Sequence, residues 1–175
     1  IQKYEYKWEW GLLSNNNSLI WSVELIEKYI NKWDWAYLSS NKSIPWSVEL
    51  IEKYNNKWDW YNLTLNTSIQ WTDELIYKFN DRWNWECLSK NKSIVWTIEM
   101  IEKNRNALCK IYDFPIPLEL VEKYKDQYNW LKSISFNKTI PLTVELIEKY
   151  CDKWNFSGLS WIGLSQNESM EWSIE

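Results

Sequence analysis

Histidine is absent from the 175-residue sequence, and this absence limits the functions that the chain can have. Histidine is the side chain best suited to proton transfer near neutral pH, and it is the commonest metal ligand. The sequence also has no glycine-rich phosphate loop and no nucleophile beside a base, and its acidic residues recur on repeated faces. We therefore expect no enzymatic activity, no cofactor and no metal site.

The sequence also has no excess of basic residues and no long apolar run, and it contains few glycines, prolines and cysteines. The net charge is −4, which argues against nucleic acid as a partner. The longest apolar runs fall far short of the ~20 residues of a bilayer span. Three glycines and four prolines exclude collagen-like and flexible low-complexity chains. The three scattered cysteines, Cys87, Cys109 and Cys151, favour a reducing intracellular compartment, with a virion or an infected cell as a further option.

Tryptophan, by contrast, is abundant, and its sixteen residues follow a repeat of 25 residues. Residues 33–57 read WDWAYLSSNKSIPWSVELIEKYNNK, and residues 58–82 read WDWYNLTLNTSIQWTDELIYKFNDR. A fixed period of this length indicates a stacked array. Both ends of the sequence fall inside a repeat, so we expect a segment of a longer array. The copies span residues 8–32, 33–57, 58–82, 83–107, 108–127 (degenerate), 128–153 and 154–175 (truncated).

The second half of each copy predicts an amphipathic helix, over about residues 46–55 in the second copy. The apolar residues Trp46, Leu50 and Tyr54 recur on one face of a 3.6-residue period. Ser47 is a suitable N-cap, because its hydroxyl can accept a hydrogen bond from an otherwise unpaired amide of the first turn. The corresponding caps in other copies are Thr72, Thr97 and Thr143.

The first half of each copy predicts a shorter helix, over about residues 59–64 in the third copy. Trp60 and Leu63, three residues apart, share a face, and Asp59 can cap the helix. The corresponding caps are Asp34, Asn84 and Asn129. Neither helix is long enough to be stable alone, so the copies must stack. The predicted fold is an all-α solenoid of helix–turn–helix repeats of about 25 residues.

A leucine-rich-repeat-like α/β solenoid is the alternative fold. The segment from Leu38 to Ile44 resembles the L-x-x-N-x-x-I corner of leucine-rich repeats, and 25 residues lies within the usual length of such a repeat. Trp35 and Leu38 are three residues apart, however, and no strand-like alternation appears. The spacing therefore favours the helical array.

The signature W-[DN]-W-x-x-L-S-x-N-x-[ST]-I-x-W-x-x-E-L-I recurs through nearly the whole chain. It resembles the uncharacterised tryptophan-rich tandem repeats of giant DNA viruses and of bacteria of the Bacteroidetes type. The match is weakest over residues 108–127, where the paired tryptophans and the asparagine are missing. The resemblance implies a repeat array and carries no activity.

The repeated apolar residues are interpreted as the structural core of the array, because tryptophan buries a large area and each copy has few other large apolar groups. An exposed aromatic platform that stacks bases or sugars is the alternative. Two tryptophans spaced by two cannot both face one way on a helix, so we expect one of each pair to be partly exposed. The predicted core comprises Trp33, Trp35, Leu38, Trp46, Leu50, Ile51, Tyr54, Trp58, Trp60, Leu63, Trp71, Trp83, Trp85 and Trp96.

A repeated Asn-x-Ser/Thr motif falls where the shorter helix must end. Asparagine tolerates the left-handed conformation often found there, and the hydroxyl can help to start the next helix. Formally the motif is also a glycosylation acceptor, and on a leucine-rich scaffold it would form a stacked asparagine ladder. The turn or cap residues predicted are Asn41, Asn66, Asn91, Asn137 and Asn167.

Lysines and glutamates also recur at fixed positions of the amphipathic helix. Glu49 and Lys53 are four residues apart in the order that favours an ion pair within one helix. A lysine row could follow a phosphate backbone, but adjoining glutamates neutralise it. The lysine row is Lys28, Lys53, Lys78, Lys103, Lys123 and Lys149, and the glutamate row is Glu24, Glu49, Glu74, Glu99, Glu119 and Glu145.

Some positions vary between copies while the frame stays constant, and in solenoids such positions carry the binding surface. Ordinary drift at exposed sites is the alternative. The candidate surface comprises Ala36, Tyr37, Ser40, Lys42, Tyr61, Asn62, Leu65, Glu86 and Lys90. The sequence thus predicts a non-catalytic module for protein–protein interaction or structural scaffolding. Modular nucleic-acid or carbohydrate binding through tryptophan and lysine rows is the alternative function.

Overall fold

A computed structural model describes residues 2–108, 111, 114–124, 137, 139–140 and 143–149. Helices and turns make up these residues, and no strand or sheet occurs among them. The prediction of an all-α repeat is confirmed. The leucine-rich alternative is wrong for the described residues, because it requires a strand in each copy. The chain divides into two compact units, Ile1–Val95 and Trp96–Glu175.

The first unit alternates two kinds of helix after a kinked 3₁₀ segment, Gln2–Lys7. Tryptophan helices begin at the second tryptophan of each pair: α1 (Trp10–Ser14), α3 (Trp35–Ser40), α5 (Trp60–Leu65) and α7 (Trp85–Ser89). Glutamate–lysine helices lie between them: α2 (Val23–Lys28), α4 (Val48–Lys53) and α6 (Asp73–Lys78). The tryptophan helices of successive copies pack together in order, α1 on α3, α3 on α5 and α5 on α7.

The described part of the second unit contains four helices: α8 (Ile98–Lys103), α9 (Arg105–Leu108), α10 (Leu118–Lys123) and α11 (Val144–Lys149). Three of them, α8, α10 and α11, are of the glutamate–lysine kind. No tryptophan helix occurs among the described residues of this unit. The predicted cap Asn129 and the predicted turn residue Asn167 lie outside the described residues.

Side-chain caps fix where most of these helices begin, with α1 and α10 as exceptions. The Ser47 hydroxyl accepts a hydrogen bond from the Leu50 amide at 3.2 Å, and the Asp59 carboxylate accepts one from the Asn62 amide at 2.8 Å. The same bonds occur at every other predicted cap in the described residues, so these predictions are confirmed. Those caps are Asp34, Thr72, Asn84, Thr97 and Thr143.

The glutamate–lysine helix is shorter than predicted, because it spans Val48–Lys53 and not residues 46–55. Ser47 is extended, with φ −145° and ψ 162°, which leaves Trp46 outside the helix. At the other end, Tyr54 leaves the helical region with φ −118° and ψ 30°. Its ring is buried against Trp35 and Trp58, and this packing directs the chain into the turn that leads to the next copy.

Candidate interaction surface

The three tryptophans of a copy are anchored by their indole nitrogens. In copies two to four, the first tryptophan of each pair, such as Trp58, is buried, and its Nε1 donates to a carbonyl seven residues earlier at 3.1 Å. The second tryptophan of the same three pairs, such as Trp60, is half-buried and donates to a carbonyl five residues earlier at 2.9–3.3 Å. Trp46 and Trp71 are also half-buried and donate five residues back. Trp96 is half-buried, and its Nε1 has no hydrogen-bond partner in the described structure.

The indole rings contact one another across consecutive copies. Trp58 lies edge-on to Trp35, with ring centroids 4.8 Å apart, and to Trp46 at 5.0 Å. The clusters around Trp33 and Trp83 repeat this arrangement. Cations cover part of the half-buried second tryptophans: Lys57 Nζ lies 5.5 Å from the Trp35 ring centroid, and the Arg82 guanidinium lies 5.3 Å from that of Trp60. These rings are therefore engaged within the array.

The repeated asparagines form a ladder between copies. Asn66 is 3% exposed, and its Nδ2 donates to the Ser39 carbonyl at 3.0 Å and to the Asn41 carbonyl at 3.1 Å. Its Oδ1 accepts the Ser68 amide at 2.9 Å. Asn41 and Asn91 repeat these bonds with their own preceding copies, and Asn137 donates to the Phe114 carbonyl within the second unit.

The backbone of these asparagines differs from the prediction. Asn41 has φ −69° and ψ 126°, and Asn66 has φ −72° and ψ 116°, so both are extended and not left-handed. Asparagine is needed at this position for its buried side-chain amide. The Nδ2 group donates to two backbone carbonyls, and Oδ1 accepts from one backbone N–H. From the sequence, a stacked asparagine ladder is expected only on a leucine-rich scaffold, but the ladder occurs here between helical repeats. Glycosylation at Asn41, Asn66, Asn91 or Asn137 is incompatible with this burial.

A row of buried hydroxyls, which the sequence analysis missed, makes a second link between copies. Ser39 Oγ donates to the Trp35 carbonyl at 2.7 Å and accepts the Asp59 amide of the next copy at 2.9 Å. Ser14 and Thr64 hold the same position and make the same pair of bonds. The signal was the serine or threonine two residues before each ladder asparagine.

The lysine row pairs with a different glutamate from the one predicted. Lys53 bonds to Glu27 of the preceding copy, and Lys78 bonds to Glu52 at 2.7 Å. Glu49 is instead engaged at the start of its own helix, where its own amide and then the Ser47 hydroxyl lower its pKa. In the second unit, lysines also pair with a glutamate one copy earlier, Lys123 with Glu102 and Lys149 with Glu122.

A partly apolar surface is left on the tryptophan helices of the second and third copies, beside the capping carboxylates of Asp34 and Asp59. We call it the tryptophan-helix face, and it comprises Ala36, Tyr37, Ser40, Tyr61, Asn62 and Leu65. Tyr37 is 47% exposed, Tyr61 56% and Leu65 47%. The face is continuous across copies, because Asn62 Nδ2 donates to the Ala36 carbonyl at 3.4 Å.

The remaining candidate residues lie outside this face and are charged. Lys42 is exposed in the turn after α3, and Glu86 on α7 pairs with Lys90, the C-cap residue of that helix, at 3.1 Å. All nine candidate residues are thus exposed or half-buried, and six of them form the tryptophan-helix face.

The chain matches no family model, and no match is found among the curated proteins or the solved structures. Within the described ranges, no group of three or more histidine, cysteine, aspartate or glutamate side chains could hold a metal ion. The helices described here are all too short or too polar to cross a membrane.

Proposed function

We propose that the chain is a non-catalytic array that binds a protein partner, or holds a larger assembly, through the tryptophan-helix face. The observation that carries the proposal is the exposure of Tyr37, Tyr61 and Leu65 on two adjoining helices, α3 and α5, that contain no charged residue. The centres of protein interfaces are depleted in charged residues and enriched in tyrosine. Contiguous exposed apolar surface is a further mark of an interaction site.

The repeat architecture supports this assignment. Tryptophans, asparagines and buried hydroxyls make the same bonds in successive copies, and these bonds hold the frame of the first unit. Exposed positions on the tryptophan helices make few such bonds, so they can vary without disturbing the frame. In repeat proteins, such positions form the binding surface.

The contacts of the aromatic and basic rows favour a protein over nucleic acid or carbohydrate. A stacking platform needs open ring faces, whereas Trp35 and Trp60 contact neighbouring rings and are covered by cations. A phosphate-binding row needs net positive charge. Lys53 and Lys78 are each paired with a glutamate of the preceding copy, which neutralises them.

Affinity capture from a native lysate, with and without nuclease, tests the proposal. The bait is compared with a Tyr61→Ser/Leu65→Ser variant and with a Tyr77→Ser control, because Tyr77 is equally exposed at 60% but lies on α6. We expect a protein that survives nuclease, is lost from the double variant at least about tenfold and is retained by the control.

Salt provides a second readout for the same capture. Binding through an uncharged face should change little between 50 and 200 mM salt, whereas binding to nucleic acid weakens steeply over that range. Recovery of nucleic acid, with every captured protein lost on nuclease treatment, would contradict the proposal.

A further inference from the structure

We propose that a cavity between the second and third copies binds one uncharged aromatic ring. The cavity is lined by residues of α4 and α6 and of the segments that precede them, and its volume is about 160 Å³. None of the lining residues belongs to the tryptophan-helix face, so the inference goes beyond the proposed function and does not rest on it. The class of ligand follows from the size, the wall and the mouth of the cavity.

Apolar side chains of both copies form the wall of the cavity. Ile51, Ile69 and Leu75 are at most 4% exposed, and the half-buried Trp46 and Val48 complete the wall. An apolar cavity of about 150 Å³ holds one benzene molecule, so this cavity has the size of a single six-membered ring. Because an aromatic residue, Trp46, is part of the wall, an aromatic ring gains ring–ring contacts that an aliphatic group lacks.

The polar residues that line the cavity, Ser47, Gln70 and Thr72, are exposed and uncharged, and they form its mouth. The Thr72 hydroxyl oxygen accepts the Leu75 amide at 3.2 Å, and the hydroxyl hydrogen can be donated to a ligand oxygen. The Ser47 hydroxyl lies beside the Glu49 carboxylate, whose charge disfavours an anionic ligand. Within the described residues, no charged side chain lines the cavity, so a charged ligand would lose water without compensation.

Trp46 is more accessible than the equivalent tryptophan of the first copy. Trp21 is 7% exposed, whereas Trp46 is half-buried. The residue that follows the buried isoleucine of the next copy also differs, since it is Pro45 in the second copy and Gln70 in the third. A flexible glutamine therefore stands at the mouth of the cavity where the second copy has a rigid proline, and a ligand can displace its side chain.

An NMR titration of the full chain with benzyl alcohol tests the proposal. We expect saturable chemical-shift changes in the methyl groups of Val48, Ile51 and Ile69. Val23 should not respond, although it is also half-buried and holds the position of Val48 in the first copy. Because one ring offers few atoms for contact, the affinity should be weak, in the millimolar range. Val48→Phe fills the cavity with a ring of its own and should abolish the changes, whereas the matched control Val23→Phe should retain them.

Three further probes define the ligand. Benzoate and benzylammonium carry the same ring with a negative or a positive charge, and each should bind more weakly than benzyl alcohol, because the apolar wall cannot compensate a charge. N-acetylphenylalanine amide carries the ring on a peptide backbone. If this probe binds at least as tightly as benzyl alcohol, the cavity takes an aromatic side chain of a protein. If it binds more weakly, the cavity takes a free small molecule.

The remaining outcomes overturn the inference. A titration without saturable shifts shows that no ring binds, and shifts of Ile51 and Ile69 that persist unchanged in Val48→Phe show that the ring binds elsewhere. Tighter binding of either charged probe refutes the uncharged ligand. Circular dichroism checks the fold of both variants, and the methyl shifts of the unsubstituted chain identify the site even if a variant unfolds. The capture experiment concerns another surface, so its failure leaves this inference standing, and the reverse also holds.

Discussion

At the scale of single residues, buried polar groups specify how the copies stack. Tryptophan, leucine and isoleucine side chains supply the buried apolar surface, and the hydrophobic effect that stabilises it is non-directional. Asn66 and Ser39, by contrast, each need donors and acceptors of two copies at fixed positions. A slip of one copy against the next would leave these buried groups unpaired, which is costly. Register is therefore set by the asparagine ladder and the hydroxyl row.

The ladder predicts a large effect for Asn66→Asp, a nearly isosteric change. The aspartate can still accept the Ser68 amide, but it places a buried carboxylate against the carbonyls of Ser39 and Asn41, which have lost their donor. We expect the free energy of unfolding to fall by about 2–4 kcal/mol, measured by urea denaturation. Asn16→Asp is the control, because Asn16 is exposed and its Oδ1 accepts the Ser18 amide, a role that aspartate keeps. Equal stability of the two variants would contradict the ladder.

At the scale of the helix, the sequence predicted the N-caps correctly. It did not predict the contacts between copies. Caps such as Ser47 and Asp59 act within three residues, so the sequence contains all that determines them. The partner of Lys53 could not be read in this way, because Glu49 and Glu27 are both plausible and only the stacking distance decides. The same holds for Asn66, whose carbonyl partners belong to the preceding copy.

The ion pair between α2 and α4 predicts a defined dependence on pH. The hydrogen bond from Lys53 lowers the pKa of Glu27 below its ordinary value of 4.5, and the same bond raises the pKa of Lys53 above 10.5. A lowered folded pKa gives stability that is present above 4.5 and is lost as the pH falls through the folded pKa. The raised lysine pKa gives stability that is lost only as the pH rises past 10.5.

We therefore expect Lys53→Gln to raise the pKa of the Glu27 carboxyl towards its ordinary value, as measured by an NMR titration of the side-chain carbon. The free energy of unfolding should change little, because both groups are exposed to solvent and screened by it. Lys57→Gln is the control, since Lys57 lies over the Trp35 ring. An unchanged Glu27 titration in Lys53→Gln would show that the pair is not formed in solution.

At the scale of the whole first unit, the sequence indicates which side chains can vary, but not how they are grouped on the surface. Positions that vary between copies, such as Tyr37, Tyr61 and Leu65, are exposed, because a side chain outside the frame can change without disturbing it. Sequence alone could not show that the candidate positions of α3 adjoin those of α5, or that Asn62 bonds to the Ala36 carbonyl of the preceding copy. That grouping depends on the packing of one tryptophan helix on the next.

The repeat predicts that one whole copy can be removed from the first unit. Deleting residues 33–57 joins Lys32 to Trp58, which then takes the place of Trp33, whose Nε1 donates to the Ile26 carbonyl at 3.1 Å. Asn66 likewise takes the place of Asn41, whose Nδ2 donates to the Ser14 carbonyl of the first copy. We expect the ellipticity per residue to be retained and the denaturant m value to fall, because less surface is exposed on unfolding.

Deleting residues 33–58, one residue more, is the matched control. In this deletion Lys32 precedes Asp59 directly and takes the place of Trp58. The side chain of Trp58 is only 4% exposed, so the longer deletion removes a buried indole. Loss of a buried tryptophan costs about 3–5 kcal/mol, and burial of a lysine in its place adds to that loss. The longer deletion should therefore unfold at clearly lower urea concentration than the shorter one. If both deletions unfold alike, the copies are not interchangeable, and the bonds repeated every 25 residues do not determine how they stack.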